Sequence, residues 1–131
     1  MALGTLTGFS LSMVGLPADH TYVISSAGHV WPCAGRSAGG NAIVAGVGNV
    51  DQADCLALSN HTAGIRYGID GVCHQMANRI LFPSRGMVTQ ARGFRVSAFS
   101  YGVYGKSGLT HYSPPSAPWP ELAACASHVH P

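Results

Sequence analysis

Residues 70–81 constrain the possible folds of this chain most, because their pattern predicts an amphipathic helix that ends before Pro83. The apolar residues of this segment recur at helical spacing: Val72, Cys73, Met76, Ala77, Ile80 and Leu81. Asp70 is expected to cap the helix, since its carboxylate can accept hydrogen bonds from the first free backbone N–H groups. The pattern therefore predicts that Cys73 lies in the opening turn of a helix.

The other segments predict short strands and turns around this helix, and hence an α+β fold. Residues 18–33 indicate a β-hairpin, with β-branched and aromatic residues on both sides of a turn of small residues. The Gly-rich stretch 35–50 favours tight turns over a helix, and 51–58 predicts a short helix capped by its first residue. Alternation over 93–105 predicts one or two strands, and 113–131, with five prolines, is expected to form an irregular strap or tail.

Length and composition limit the functions open to the chain. A chain of 131 residues is predicted to form a single domain, 1–131, and 47% apolar against 9% charged residues argues against intrinsic disorder. The net charge is only +2, and the basic residues are scattered singly, so no nucleic-acid interface is expected. No apolar run reaches the roughly 18 residues of a membrane span. Residues 1–16 carry no basic residue and are interrupted by Thr and Ser, so we expect no Sec signal.

Cys73 is the first candidate for chemistry. A thiol in the first turn of a helix feels the positive end of the backbone dipole and the unpaired N–H groups. Both favour the thiolate, which is the nucleophilic form, and papain-like enzymes activate their cysteine in this way. The alternative interpretation is structural, since most single cysteines are small buried apolar side chains.

A thiolate nucleophile needs a base, and histidine is the usual partner because its ordinary pKa is close to neutrality. By elimination among seven histidines, His20 is the candidate, since it starts the first strand of the hairpin, where β structure can hold its ring against the helix. His29 lies on the returning strand, and His74 points about 100° away around the helix. The others lie in loops or near the C-terminus: His61, His111, His128 and His130.

Other chemistries have less support in the sequence. One Glu and four Asp offer little for a paired-carboxylate hydrolase. Cys125, His128 and His130 could bind zinc, but no His-Glu-x-x-His motif accompanies them. The Gly-rich stretch lacks the ending of a phosphate-binding loop, and the four cysteines contain no Cys-x-x-Cys pair.

Two segments together carry a resemblance to a known family. They are Ala-Asp-His-Thr-Tyr-Val at 18–23 and Gly-Ile-Asp-Gly-Val-Cys-His-Gln-Met-Ala-Asn-Arg-Ile-Leu at 68–81. They resemble the second family of type VI secretion amidase effectors, small bacterial toxins among the NlpC/P60-like, papain-related cysteine peptidases. The resemblance spans roughly 18–105. Because His20 precedes Cys73, the order is similar to that of the circularly permuted branch, which implies a small antiparallel sheet packed on the helix that carries the cysteine.

The resemblance implies a mechanism and partners. Cys73 would attack a peptidoglycan stem-peptide amide, and His20 would protonate the departing amine. The backbone N–H of Cys73 would donate a hydrogen bond to the oxyanion. The expected bond is the cross-link between D-Ala and meso-diaminopimelate, cut without cofactor or metal. The expected partners are the type VI secretion apparatus and a cognate immunity protein. The protein would act as a monomer in the periplasm of the target bacterium, exported without a Sec signal.

The base and the third catalytic residue remain open at this point. If the chain keeps the standard order, the base comes from beyond Cys73, with His111 as first candidate. His29 is a candidate for the third residue, since a hairpin neighbour can reach the second nitrogen of the His20 ring.

Carboxylate binding and disulfide pairing are open as well. Three arginines could pair with substrate carboxylates or lie solvated on the surface: Arg36, Arg66 and Arg79. An oxidising target compartment would permit a disulfide, and we favour Cys33 with Cys55 because Cys125 lies in the tail.

Two alternative functions are kept. One is another permuted papain-like hydrolase or acyltransferase with the same pair but a lipid or protein substrate, which a long apolar groove would favour. The other is a catalytically inert wall-binding module that displays Trp31 and Trp119. In that case Cys73 should be buried and distant from every histidine.

Overall fold

The computed structural model describes residues 3–106 and 119–125. In these ranges the protein is α+β, with one antiparallel sheet of four strands and four α-helices. The strands are β1 (Leu3–Ser12), β2 (Asp19–Ser25), β3 (Val30–Trp31) and β4 (Asn41–Asn49), and the helices are α1 (Val50–Ser59), α2 (Cys73–Leu81), α3 (Phe94–Tyr101) and α4 (Pro120–Cys125). A π-helical turn, Asn60–Gly64, follows α1, and a 3-10 turn, Phe82–Ser84, follows α2.

The sheet has the order β3-β2-β1-β4, so β1 lies at its centre. β1 pairs with β2 over Leu6 to Ser12 and with β4 on its other edge. The sequence analysis did not predict β1. The Thr and Ser residues that argue against a Sec signal belong to this strand, in which side chains point alternately to opposite faces, and Leu6 is fully buried.

The predicted hairpin is confirmed as β2 and β3. β2 is buried along most of its length, from Asp19 to Val23 and again at Ser25. β3 has only two residues, and His29 lies in the turn before it, where its carbonyl accepts the Ser25 N–H. His29 and His20 therefore lie at opposite ends of the hairpin.

The two predicted helices are confirmed, but with different caps. Asn49, rather than Asp51, caps α1 by accepting the Gln52 N–H at 2.9 Å. α2 begins at Cys73 itself, three residues after the predicted start. The Asp70 carboxylate does not cap it, because the backbone and the guanidinium of Arg66 occupy its oxygens.

The prediction of strands over 93–105 is wrong, since these residues form α3. Its buried positions are Phe94, Ser97 and Ala98, at helical spacing, while Val96 and Phe99 are 72% and 76% exposed. The small polar and small apolar side chains on its buried face concealed the helical period. Glycines with positive φ lie at both ends of α3, Gly93 and Gly102.

The segment 113–131 is partly described, and there the expected irregular strap contains a helix, α4. A disulfide joins Cys55 of α1 to Cys125 of α4, with the Cα atoms 5.8 Å apart. The expected pairing of Cys33 with Cys55 is therefore wrong, because the chain beyond 118 returns to pack on α1. Cys33 is a free, buried thiol.

The core lies between the sheet and α2, whose nine residues are all buried. α2 packs on β2, with α1 and α3 beside it. Arg79 is fully buried, donates to the Tyr104 carbonyl at 2.6 Å and lies over the Trp119 ring. Among the described helices, none has the length and apolarity needed to cross a membrane.

Candidate active site at the start of the second helix

Cys73 is the first residue of α2 and lies against the beginning of β2. Its Sγ is 4.0 Å from the Asp19 carbonyl oxygen, and the residue is 5% exposed. Because Val72 is extended and α2 begins directly after it, the sulfur lies at the helix N-terminus, where the backbone dipole favours negative charge. The side-chain oxygen of Gln75 stabilises this end of the helix by accepting a hydrogen bond from the Val72 N–H.

His20, on β2, interacts with Cys73. Hydrogen bonding to the sulfur is the largest cause that raises the pKa of the His20 imidazole above its ordinary 6.5, against the opposing effect of burial. Burial raises the pKa of the Cys73 thiol, but the hydrogen bonds from His20 and from the Thr21 backbone, with the charge of His20, outweigh it and lower that pKa below 9.0. Both shifts favour a thiolate beside an imidazolium.

The ring of His20 is held in place by the segment 33–36. Its Nε2–H donates to the Arg36 carbonyl at 2.6 Å, and the hydrogen bonds to the Arg36 and Pro32 carbonyls also raise the pKa of the ring. Gly35 packs on the same ring, since a Cβ at this position would lie 2.3 Å from Cε1 of His20. Cys33 and Ala34 both adopt positive φ, so the chain turns tightly around the imidazole.

The Arg36 carbonyl takes the orienting role for which His29 was the candidate. The Nδ1 atom of His29 pairs instead with the Asp54 carboxylate at 2.8 Å, on the half-exposed side of α1. The hairpin register explains the error, because it places His29 beside Ser25, at the far end of β2 from His20.

Tyr67 was missed by the sequence analysis. Its hydroxyl interacts with the sulfur and with the backbone N–H of Cys73, and burial followed by the charge of Cys73 raises its pKa above 10. The loop that carries it is closed by a bridge between Tyr67 and Gly71. Tyr101 donates to the Gly68 carbonyl from α3. Since no periodicity marks a loop residue, only its position shortly before the candidate nucleophile could have indicated it.

A cleft of about 360 Å³ opens beside this group of residues. His20, Gly35, Arg36 and Tyr67 form its polar side. The remaining lining comes mainly from β1 and the loop after it: Leu11, Ser12, Met13, Val14, Leu16 and Ala34. This part of the lining is largely aliphatic, and the described residues of the lining include no carboxylate.

His74 has a structural environment, but it lies nearer the sulfur than predicted, because its ring and the Cys73 Sγ are both close to the Asp19 carbonyl oxygen. Its Nδ1 lies 2.9 Å from the Ser97 hydroxyl and its Nε2 2.7 Å from the Asp19 carbonyl. Burial is the largest cause that lowers its pKa below 6.5. Arg92 holds the Asp19 carboxylate through its Nε at 2.8 Å and its backbone N–H, so the start of β2 is fixed from two sides.

The comparisons with known proteins add no relative. No family model matches the chain, and no match was found among curated proteins or among solved structures.

Of the other candidate residues in the described part of the chain, only Arg36 lines the cleft. Of the three arginines, Arg36 lines the cleft, Arg66 pairs with Asp70, and Arg79 is buried away from solvent. Trp119 is buried as well, which removes it from a displayed binding surface. His61 lies exposed in the π-helical turn. His111, His128 and His130 lie outside the described residues.

The described residues of the site offer a nucleophile and an acid. The bridged Cys125 has no free thiolate for the zinc site considered above. Across 3–106 and 119–125, no cluster of three His, Cys, Asp or Glu residues could hold a metal ion. A thiolate at a helix start, beside an imidazolium on a rigid strand, can attack a carbonyl carbon and protonate the group that leaves.

Proposed function

We propose that this protein is a cysteine peptidase that hydrolyses an amide bond in peptidoglycan peptides. The observation that carries the proposal is the interaction of Cys73 with His20, which the fold brings together across 53 residues of sequence. Its shifted pKa values favour the thiolate and the imidazolium, and perturbed pKa values of this kind concentrate at functional sites.

The proposed reaction has two halves. The Cys73 thiolate attacks the amide carbonyl, forming a C–S bond, and His20 gives its proton to the nitrogen as the C–N bond breaks. Water then attacks the acyl-enzyme with the neutral His20 imidazole as base, which releases the carboxylic acid and restores the thiolate and the imidazolium. Throughout, the Arg36 carbonyl keeps the ring oriented.

The negative charge that develops on the carbonyl oxygen needs donors close to the sulfur. The backbone N–H of Cys73 is at the helix N-terminus, and the Tyr67 hydroxyl interacts with that same N–H. These two groups are therefore our candidates for stabilising the oxyanion.

The substrate and the route of delivery rest on the resemblance described above. We propose that the bond is the cross-link between D-Ala and meso-diaminopimelate, in the periplasm of a rival bacterium reached by type VI secretion, and that an immunity protein protects the producer. Two features support a permuted NlpC/P60-like arrangement. The histidine strand precedes the cysteine helix, and a small antiparallel sheet packs on that helix.

The aliphatic wall of the cleft favours a second candidate, in which the same pair acts on a lipid or acylated protein substrate. Leu11, Met13, Val14 and Leu16 supply that wall. An inert binding module fits less well, because Cys73 is buried, as that interpretation expects, but lies beside His20.

The test is digestion of purified sacculi, with the released muropeptides identified by mass. The wild type should release uncross-linked peptides that carry a new amine, and Cys73→Ala should release none. Cys33→Ala is the comparison variant, since it removes the other free thiol, and digestion by this variant would assign the activity to the Cys73 sulfur. Unchanged digestion by Cys73→Ala would exclude the mechanism. Inactivity on sacculi together with hydrolysis of fatty acyl thioesters would favour the second candidate.

A further inference from the structure

The cleft beside Cys73 carries positive charge without a matching carboxylate. Among the described lining residues, Arg36 and His20 are the only ionisable basic side chains, and none is Asp or Glu. Four other arginines are paired within the protein: Arg66 with Asp70, Arg79 with the Tyr104 carbonyl and Glu121, Arg85 with the Phe82 carbonyl, and Arg92 with Asp19. Within the described part of the chain, the guanidinium of Arg36 has no ion-pair partner and is exposed.

The position of Arg36 is tied to the proposed chemistry through its backbone. Its carbonyl oxygen accepts the His20 Nε2–H at 2.6 Å, so the main chain of this residue lies directly against the proposed acid. Arg36 is also one of the residues that line the cleft. A group held by the guanidinium would therefore lie within one arginine side-chain length of the His20 ring, which lines the cleft and interacts with Cys73.

We infer that Arg36 binds a free carboxylate of the substrate beside the scissile amide. A guanidinium presents donors in a planar fork that matches a carboxylate, and such charge-assisted pairs are stronger than neutral hydrogen bonds. The aliphatic wall then packs against the hydrocarbon part of the same substrate residue. This inference rests on the proposed function and narrows its substrate to peptides that carry an unamidated carboxylate next to the cleaved bond.

The test separates binding from hydrolysis by using Cys73→Ala protein. The probes are a cross-linked muropeptide with the free carboxylate on the diaminopimelate residue beside the cross-link, and its twin amidated at that carboxylate. Dissociation constants of both are measured by calorimetry on Cys73→Ala and on the double variants with Arg36→Gln and with Arg95→Gln. Gln at position 36 keeps the backbone carbonyl that holds His20, and Arg95 is an exposed arginine outside the cleft lining.

The free carboxylate should bind about tenfold more tightly than its amide in Cys73→Ala and in the Arg95→Gln control. That ratio should fall to about one with Arg36→Gln. A ratio that survives Arg36→Gln, a ratio of one in Cys73→Ala, or no binding of either probe would overturn the inference. If the ratio behaves as expected but wild-type protein does not cleave the peptide, the amidase proposal fails and the carboxylate site stands. If the peptide is cleaved but the ratio does not depend on Arg36, the carboxylate site fails and the amidase proposal stands.

Discussion

Two histidines flank the start of α2, and their opposite behaviour shows what distinguishes the proposed acid from a structural residue. His20 and His74 are 6% and 2% exposed, and each has its Nε2 against a backbone carbonyl, of Arg36 at 2.6 Å and of Asp19 at 2.7 Å. Yet the pKa of His20 is raised, chiefly by Cys73, and that of His74 is lowered, chiefly by burial.

The two histidines differ in the other partner of the ring and in whether the residue lines the cleft. His74 faces the neutral hydroxyl of Ser97, which gains little from a positive charge on the ring. His20 faces a thiol that can become an anion, and it lines the cleft. A carbonyl partner therefore orients an imidazole, but hydrogen bonding to an ionisable neighbour and the degree of burial set the direction in which its pKa moves.

The largest expected effect comes from exchanging each ring for glutamine. His20→Gln should lower kcat/KM for peptide hydrolysis by on the order of 10³-fold, since a general acid–base group contributes about 10²–10⁴. His74→Gln should leave activity per folded molecule within a few fold, but cost on the order of 1–3 kcal/mol of unfolding free energy, because buried partners lose their bonds. Steady-state kinetics and urea unfolding of both proteins measure the contrast. Equal loss of activity in the two variants would contradict it.

A smaller effect should follow from moving the His20 ring without removing it. Gly35→Ala places a Cβ where the imidazole now lies, so the ring must shift from its contacts with Arg36 and Cys73. Misplacement of a reacting group by about 1 Å can cost on the order of 10²-fold, and we expect a fall in kcat of that size.

Gly46→Ala is the matched control for this variant, because its added Cβ meets only Ser84, at 3.2 Å, away from the cleft. It should keep nearly all activity. Full activity of Gly35→Ala at an unchanged melting temperature would show that the ring position is not critical.

The smallest effects are expected in pH profiles, where the two histidines should act on different quantities. The rate of Cys73 alkylation by iodoacetamide should rise with pH through an apparent pKa below 9.0, and His20→Gln should move that rise to higher pH. His74→Gln should leave it in place. An identical alkylation profile in His20→Gln would mean that the imidazole does not stabilise the thiolate.

For His74 the expected pH effect is on the free energy of unfolding. Its pKa in the folded protein is lower than the ordinary 6.5, so below about pH 6.5 the unfolded chain binds more protons and unfolding becomes easier as the pH falls. Urea unfolding between pH 7 and 5 should show this loss in the wild type and a smaller loss in His74→Gln. Parallel curves would assign the acid sensitivity to other groups.

Part of this architecture could be predicted from residue patterns. The helical period over 70–81 and the hairpin at 18–33 are local signals, and both elements form. Helix geometry alone did not place His74, whose ring reaches the Asp19 carbonyl oxygen that also lies near the sulfur. β1 and α3 were missed because their patterns were ambiguous. Polar residues in β1 lie within an apolar run, and α3 buries Ser97 and Ala98 where large apolar residues would have marked a helix.

The surroundings of the candidate site depended on contacts between distant segments. The choice of the Arg36 carbonyl over His29 follows from the tight turn at 33–36, which two residues with positive φ make. The disulfide of Cys55 with Cys125 follows from the return of the chain to α1 across 70 residues. Neither arrangement has a local sequence signal.

The sequence by itself determined that a cysteine begins a helix and that a β-hairpin carries a histidine, because these properties depend on hydrogen bonds and side-chain spacing within a few residues. Only the tertiary structure decided which histidine meets the sulfur, which carbonyl orients it and which arginine faces the cleft. Those outcomes depend on how strands and helices pack, since burial and neighbouring charge set a pKa and both come from residues far apart in the chain.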